Sequence, residues 1–143
     1  MSSTNSDKDQ NGETAGPNGA LGEIVALNLD LFFGVKIGNQ LKAQGYAVAF
    51  RKTTKEFAER VRSGDAVLGV IDLNAKPDWD LVAKLVDEVG ERTPILVFGS
   101  HLDVDGLRAA KAAGVRRVVS NGEFHKNMIE LVGRYARPQT AAV

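Results

Sequence analysis

The sequence predicts a three-layer, doubly wound α/β fold on a five-stranded parallel sheet of order 2-1-3-4-5, and three observations carry that prediction. Short apolar runs alternate with amphipathic segments at regular spacing from about residue 23 to residue 135, the pattern of strand–helix units. Two of the runs, 67–72 (VLGVID) and 94–99 (PILVFG), are almost continuously apolar, as strands covered on both faces are. Five such units joined by right-handed crossovers are most commonly arranged, at this length, with the first strand between the second and third.

The five strands are expected at 24–29 (IVALNL), 46–51 (YAVAFR), 67–72, 94–99 and 116–120 (RRVVS). The helices between them show apolar stripes at helical spacing: Phe33, Ile37 and Leu41 in the first, Phe57 and Val61 in the second, Leu81, Leu85 and Val89 in the third. Leu107 and Ala110 begin the inner face of the fourth, and Phe124, Met128, Leu131 and Tyr135 give the fifth a broader one. Thr53 with Glu56, and Ser120 with Glu123, have the spacing of a capping box. Gly45, Gly64, Gly90 and Gly114 stand near helix C-termini, where a left-handed residue is wanted. Residues 1–22 are polar and small and cannot bury enough surface to offset their ordering entropy, so a disordered tail is expected there. The domain proper is then 23–136, with Arg137 and Pro138 ending the last helix and 137–143 forming a flexible C-terminal tail.

Composition narrows the function. With 18 basic and 18 acidic residues the formal net charge is zero, so no whole-molecule field draws nucleic acid, and partners must be recognised locally. The absence of cysteine removes disulfides, thiolate metal sites and thiol nucleophiles together. The first residues lack the basic and apolar regions of a signal peptide, and no run approaches the roughly 18 apolar residues of a membrane span. A cytoplasmic protein with no membrane association is expected. No glycine-rich phosphate loop follows the first strand, so nucleotide cofactors are not expected. Gly34 and Gly38 fall inside the first helix and read as packing residues.

A sheet of this order opens a crevice between the carboxyl ends of the first and third strands. Asn28, Leu29, Asp30 and residues 72–76 line it. Here the chain resembles the response-regulator receiver domain, a CheY-like, flavodoxin-like family, over essentially all of 23–135. The stretch GVIDLNAKPDWDLVAKL resembles the family's third strand and following loop, and TPILVFGS, AAKAAGVRRVV and the closing helix resemble its fourth strand, its fourth helix with fifth strand, and its last helix.

The resemblance implies a phosphoacceptor at Asp72. It also implies helpers that this sequence lacks. The two acidic magnesium ligands of the family fall on Asn28 and Leu29, the Thr or Ser at the fourth strand falls on Gly99 with Ser100 adjacent, and the Lys at the fifth falls on Asn121, followed by Gly122 rather than the common proline. A carboxylate attacks phosphorus well only when a cation neutralises the phosphoryl oxygens, and magnesium wants several oxygen ligands. The reading is therefore a degenerate pseudo-receiver, not an enzyme, with no cofactor; Mg²⁺ enters only if Asp30 and Asp72 rescue an atypical site. The alternative is a working receiver phosphorylated on Asp72 in a two-component phosphorelay.

The family also implies a partner surface on the fourth helix, fifth strand and fifth helix, here Lys111, Arg116, Arg117, His125 and Tyr135, serving a histidine kinase, an output protein or a homodimer. Arg108 joins the basic residues of that region. His101 is expected in an exposed loop, His125 solvated on the last helix, and Trp79 at the rim of the core beside the crevice loop. Phe32 and Phe33 point about 100° apart on a helix, so one of them is left exposed.

Overall fold

A computed structural model describes residues 19–137. Its elements are β1 (Glu23–Leu27), α1 (Leu31–Ala43), β2 (Ala47–Arg51), α2 (Thr54–Ser63), β3 (Ala66–Asp72), α3 (Trp79–Val89), β4 (Ile95–Gly99), α4 (Val104–Ala112), β5 (Arg117–Ser120) and α5 (Asn121–Tyr135). The strands form one parallel sheet of order β2-β1-β3-β4-β5, as predicted.

Alternation along the strands divides the core in two. Ile24, Val70, Leu96 and Phe98 meet Ile37 and Leu41 of α1 and Phe124, Met128, Leu131 and Val132 of α5 on one face. Val25, Leu27, Ile71, Ile95 and Val97 meet Phe57 and Val61 of α2, Val82, Leu85 and Val89 of α3, and Ala110 of α4 on the other. Two helices thus cover one face and three the other. β3 is buried along its whole length, whereas every residue of the edge strand β2 is half-buried.

The ends of elements differ from the sequence pattern where side chains bond to backbone. The first strand stops at Leu27 because the Asn28 amide group turns to bond the backbone of Asp30, and Leu29 is left outside the ladder. On α3 the buried face is Val82, Leu85 and Val89, with Leu81 half-buried beside it. Gly45, Gly90 and Gly114 have positive φ, but Gly64 ends α2 in an extended conformation at φ −128°. Thr53 and Ser120 each accept the N–H three residues on, at 3.1 and 3.0 Å. Inside the predicted N-terminal tail, the Leu21 N–H donates to the Gly45 carbonyl and the Gly22 carbonyl accepts from Ala47. Arg137 donates its N–H to the Val67 carbonyl. The remainder of both predicted tails, 1–18 and 138–143, lies outside the described residues. Among the described residues, no helix is long and apolar enough to cross a membrane.

Candidate functional site

The carboxyl ends of β1 and β3 bring Asn28, Asp30 and Asp72 to one crevice, as the topology requires. Each already has a structural task. Asn28, 8% exposed, donates from Nδ2 to the Asp30 carbonyl at 2.8 Å, and its Oδ1 accepts the Asp30 N–H at 3.4 Å. Asp30 is the N-cap of α1, its Oδ1 accepting the Phe33 N–H at 3.0 Å. Leu29, 52% exposed, offers no donor or acceptor beyond its backbone.

Asp72 is 1% exposed. Its Oδ1 accepts the Asn74 N–H at 2.9 Å, opening a single 3₁₀ turn (Leu73–Ala75) that Lys76 closes in a left-handed conformation at φ 53°. Its Oδ2 is buried without a hydrogen-bond partner. Burial holds the carboxyl above the usual carboxylate range, the Asn74 N–H opposes this, and the charge of Asp30 pushes the same way as burial.

Leu73, which follows Asp72, is buried in the core under α2, α3 and α4 and packs against the end of β4. A Cβ added at Gly99 would fall inside the Leu73 side chain, whose Cβ and Cγ lie 2.7 Å from that position. The space in which a hydroxyl side chain at the end of β4 would stand is thus filled by an apolar one. Ser100, the adjacent candidate, accepts the Leu102 N–H on its Oγ at 3.0 Å and so is committed to the β4–α4 loop. Asn121 is the first residue of α5, and its Oδ1 is buried without a partner.

His125 departs from the expectation of a solvated ring: the residue is half-buried. Its ring lies 4.2 Å from that of Phe33 and edge-on to Phe98 and Phe124 at 5.6 and 5.3 Å. Both ring nitrogens are buried without partners. Burial lowers its pKa, Lys36 lowers it further, and Asp30 opposes. The cause is tertiary: Phe33 of α1 covers the flank of α5 that helical spacing alone leaves open. Phe32, the other half of that pair, is 87% exposed.

Of the remaining partner-surface residues, Lys111 and Arg116 are exposed and Arg117 is half-buried. Tyr135 is drawn inward: it is 7% exposed, its hydroxyl accepts from Arg117 at 3.1 Å, and the Arg116 guanidinium lies 5.1 Å over its ring. Arg117 also pairs with Glu123 at 3.4 Å. Arg108 and His101 are exposed, and Trp79 packs at the edge of the α2–α3–α4 core. Among the described residues, no group of three or more His, Cys, Asp or Glu side chains gathers to hold a metal ion.

No protein family matches this chain at the level of sequence, and no curated protein does. Solved structures do match. The signal receiver domain of an HD domain-containing protein from Pseudomonas fluorescens superposes with a TM-score of 0.69 at 14% identity, covering 87% of this chain and 91% of that one. The chemotaxis response regulator CheY4 of Vibrio cholerae gives 0.65 at 14% identity, covering 79% and 97%. The beryllofluoride-activated NtrC4 receiver domain dimer gives 0.63 at 14% identity, covering 80% and 98%. At such low identity the likeness speaks for architecture, and the architecture of this chain is that of the response-regulator receiver domains.

Proposed function

We propose that the chain is a receiver-like signalling module that acts through protein contacts and does not use magnesium-dependent phosphorylation of Asp72. The condition of Asp72 carries this reading: its carboxyl is 1% exposed, one oxygen is held by Asn74, and Leu73 fills the space above Gly99. A nucleophile must reach its phosphorus in line, and a buried carboxyl with one oxygen already held by the backbone is poorly placed to do so. The donors around it do not fit a magnesium ion. Asn28 is spent on the backbone, Leu29 has no side-chain oxygen, and Asp30 caps α1. On this reading the domain has no catalytic chemistry and no cofactor of its own, and it works in the cytoplasm.

Partner contact falls to the α4–β5–α5 side, where Lys111 and Arg116 stand exposed and Arg117 is fixed by Tyr135 and Glu123. A kinase, an output protein or a second copy would meet those cations. Dimerisation is a behaviour of the NtrC4 receiver, and this edge is where it is proposed for the present chain.

Asp30 and Asp72 stand at the same crevice, and the charge of Asp30 adds to the burial that raises the Asp72 pKa; this supports the alternative of an atypical phosphoacceptor. One experiment decides between them. The protein is incubated with Mg²⁺ and acetyl phosphate or phosphoramidate and weighed intact. No mass gain is the expected result; gain of one phosphoryl group that vanishes in Asp72→Asn establishes the alternative.

A further inference from the structure

Helix α1 carries two apolar stripes, and the fold uses one. Phe33, Ile37 and Leu41 pack against the sheet. Leu31, Val35 and Gly38, at i, i+4 and i+7, run along the flank above β2. Leu31 is 83% exposed and Val35 64%, so the second stripe faces solvent. Because only α1 and α5 cover this face, Val48 and Phe50 of the edge strand remain half-buried.

Between the helix flank and the strand runs a groove of about 400 Å³, its sides formed by Leu29, Leu31, Val35 and Phe50. Gly38 keeps it open, since a Cβ there would stand 3.5 Å from the Phe50 ring and a longer side chain would fill the space. Charge indicates what enters. Helix α1 contains no acidic residue, Lys42 and Lys52 line the groove, and neither is ion-paired with a described residue. The Asp30 carboxylate, also at the rim, is turned to the α1 cap.

A second copy of the chain would set these lysines against each other. Residues 1–18 contain almost nothing apolar to occupy the groove, and residues 138–143 contain no acidic side chain. The stripe from Leu31 to Lys42 is about 16 Å long, three helical turns, and a glycine at its centre lets another backbone approach closely.

We propose that this groove receives an amphipathic helix of a protein partner, its apolar stripe on Leu31, Val35 and Phe50 and its acidic flank against Lys42 and Lys52. The surface lies on the side of α1 away from His125 and α5. It borders the crevice through Asn28, Leu29 and Asp30 but does not include Asp72, and binding there does not depend on whether Asp72 is phosphorylated.

The test uses two fluorescent synthetic helices of about 14 residues, with the same leucine stripe but glutamate or lysine flanks, titrated by anisotropy against the full chain. The glutamate peptide is expected to bind, about tenfold or more tighter than the lysine peptide, and to weaken as salt rises. Val35→Glu should abolish its binding. The double variant Lys42→Glu, Lys52→Glu, altered only at exposed positions, should reverse the preference. Equal binding of the two peptides, binding of neither, or retention of the protein only by phosphatidylglycerol vesicles overturns the proposal.

Discussion

At the scale of single residues, two titratable groups, one buried and one half-buried, set opposite demands on pH. Asp72 has a raised folded pKa, so between its ordinary value of 3.8 and that higher value the native state binds more protons than the unfolded state. Its contribution to stability falls as pH rises through that window and stays unfavourable above it. Asp72→Asn keeps an acceptor for the Asn74 N–H and removes the buried charge, so it should stabilise the domain at pH 7, by about 1 kcal/mol. Urea unfolding at pH 7 and at pH 4 checks both sign and window: the gain should shrink at the lower pH. His125 works the other way. Its folded pKa is lowered, so stability is full above the ordinary 6.5 and is lost as pH falls through the folded value. His125→Phe, among Phe33, Phe98 and Phe124, should flatten that acid-side loss in thermal melts between pH 7 and pH 5. An unchanged slope would show that His125 does not control it. Neither group's state was legible from spacing alone. Asp72 was identified by position, but its lack of a second partner depends on how Leu73 and Asn74 turn after β3. His125 was misplaced because its ring is enclosed by Phe33 from a helix ninety-odd residues earlier in the chain.

At the scale of elements, the end of β4 and the turn after β3 act as one unit. Leu73 lies over Gly99, and the backbone there has room for no side chain while that leucine is present. Gly99→Ala should destabilise by about 1–3 kcal/mol through overpacking. Leu73→Ala alone should also destabilise, by leaving a void. Combined, the two should cost less than their sum, because losing the Leu73 Cγ and Cδ atoms relieves part of the overlap while its Cβ remains; strict additivity in denaturation would show that the contact is not the cause. Such coupling was invisible in the sequence, where a glycine at a strand end reads simply as a missing hydroxyl. The elements themselves were largely legible, because buried strands, helical stripes and the Thr53 and Ser120 caps are local signals. What failed was local only in appearance: the first strand ends two residues early because the Asn28 amide captures the backbone of Asp30. The second stripe of α1 was also present in the sequence, as apolar residues at positions the core does not need.

At the scale of the whole molecule, the strand order followed from the spacing of units and the handedness of crossovers, and the fold agrees with it. The same order determines how the sheet is protected. β3 lies at its centre, buried at all seven positions, while β2 hangs on β1 alone with five half-buried residues and helix cover that does not reach its outer edge. Amide exchange should therefore report two populations in one sheet. Ala47 to Arg51 should exchange through local openings well below the free energy of global unfolding, and Ala66 to Asp72 only with it. Protection spread evenly over both strands would contradict this. A domain built this way can release its outermost strand, loosening the ground beneath α1, while the central strand β3 keeps its shape, so that an event at the β2 edge need not be felt at the crevice.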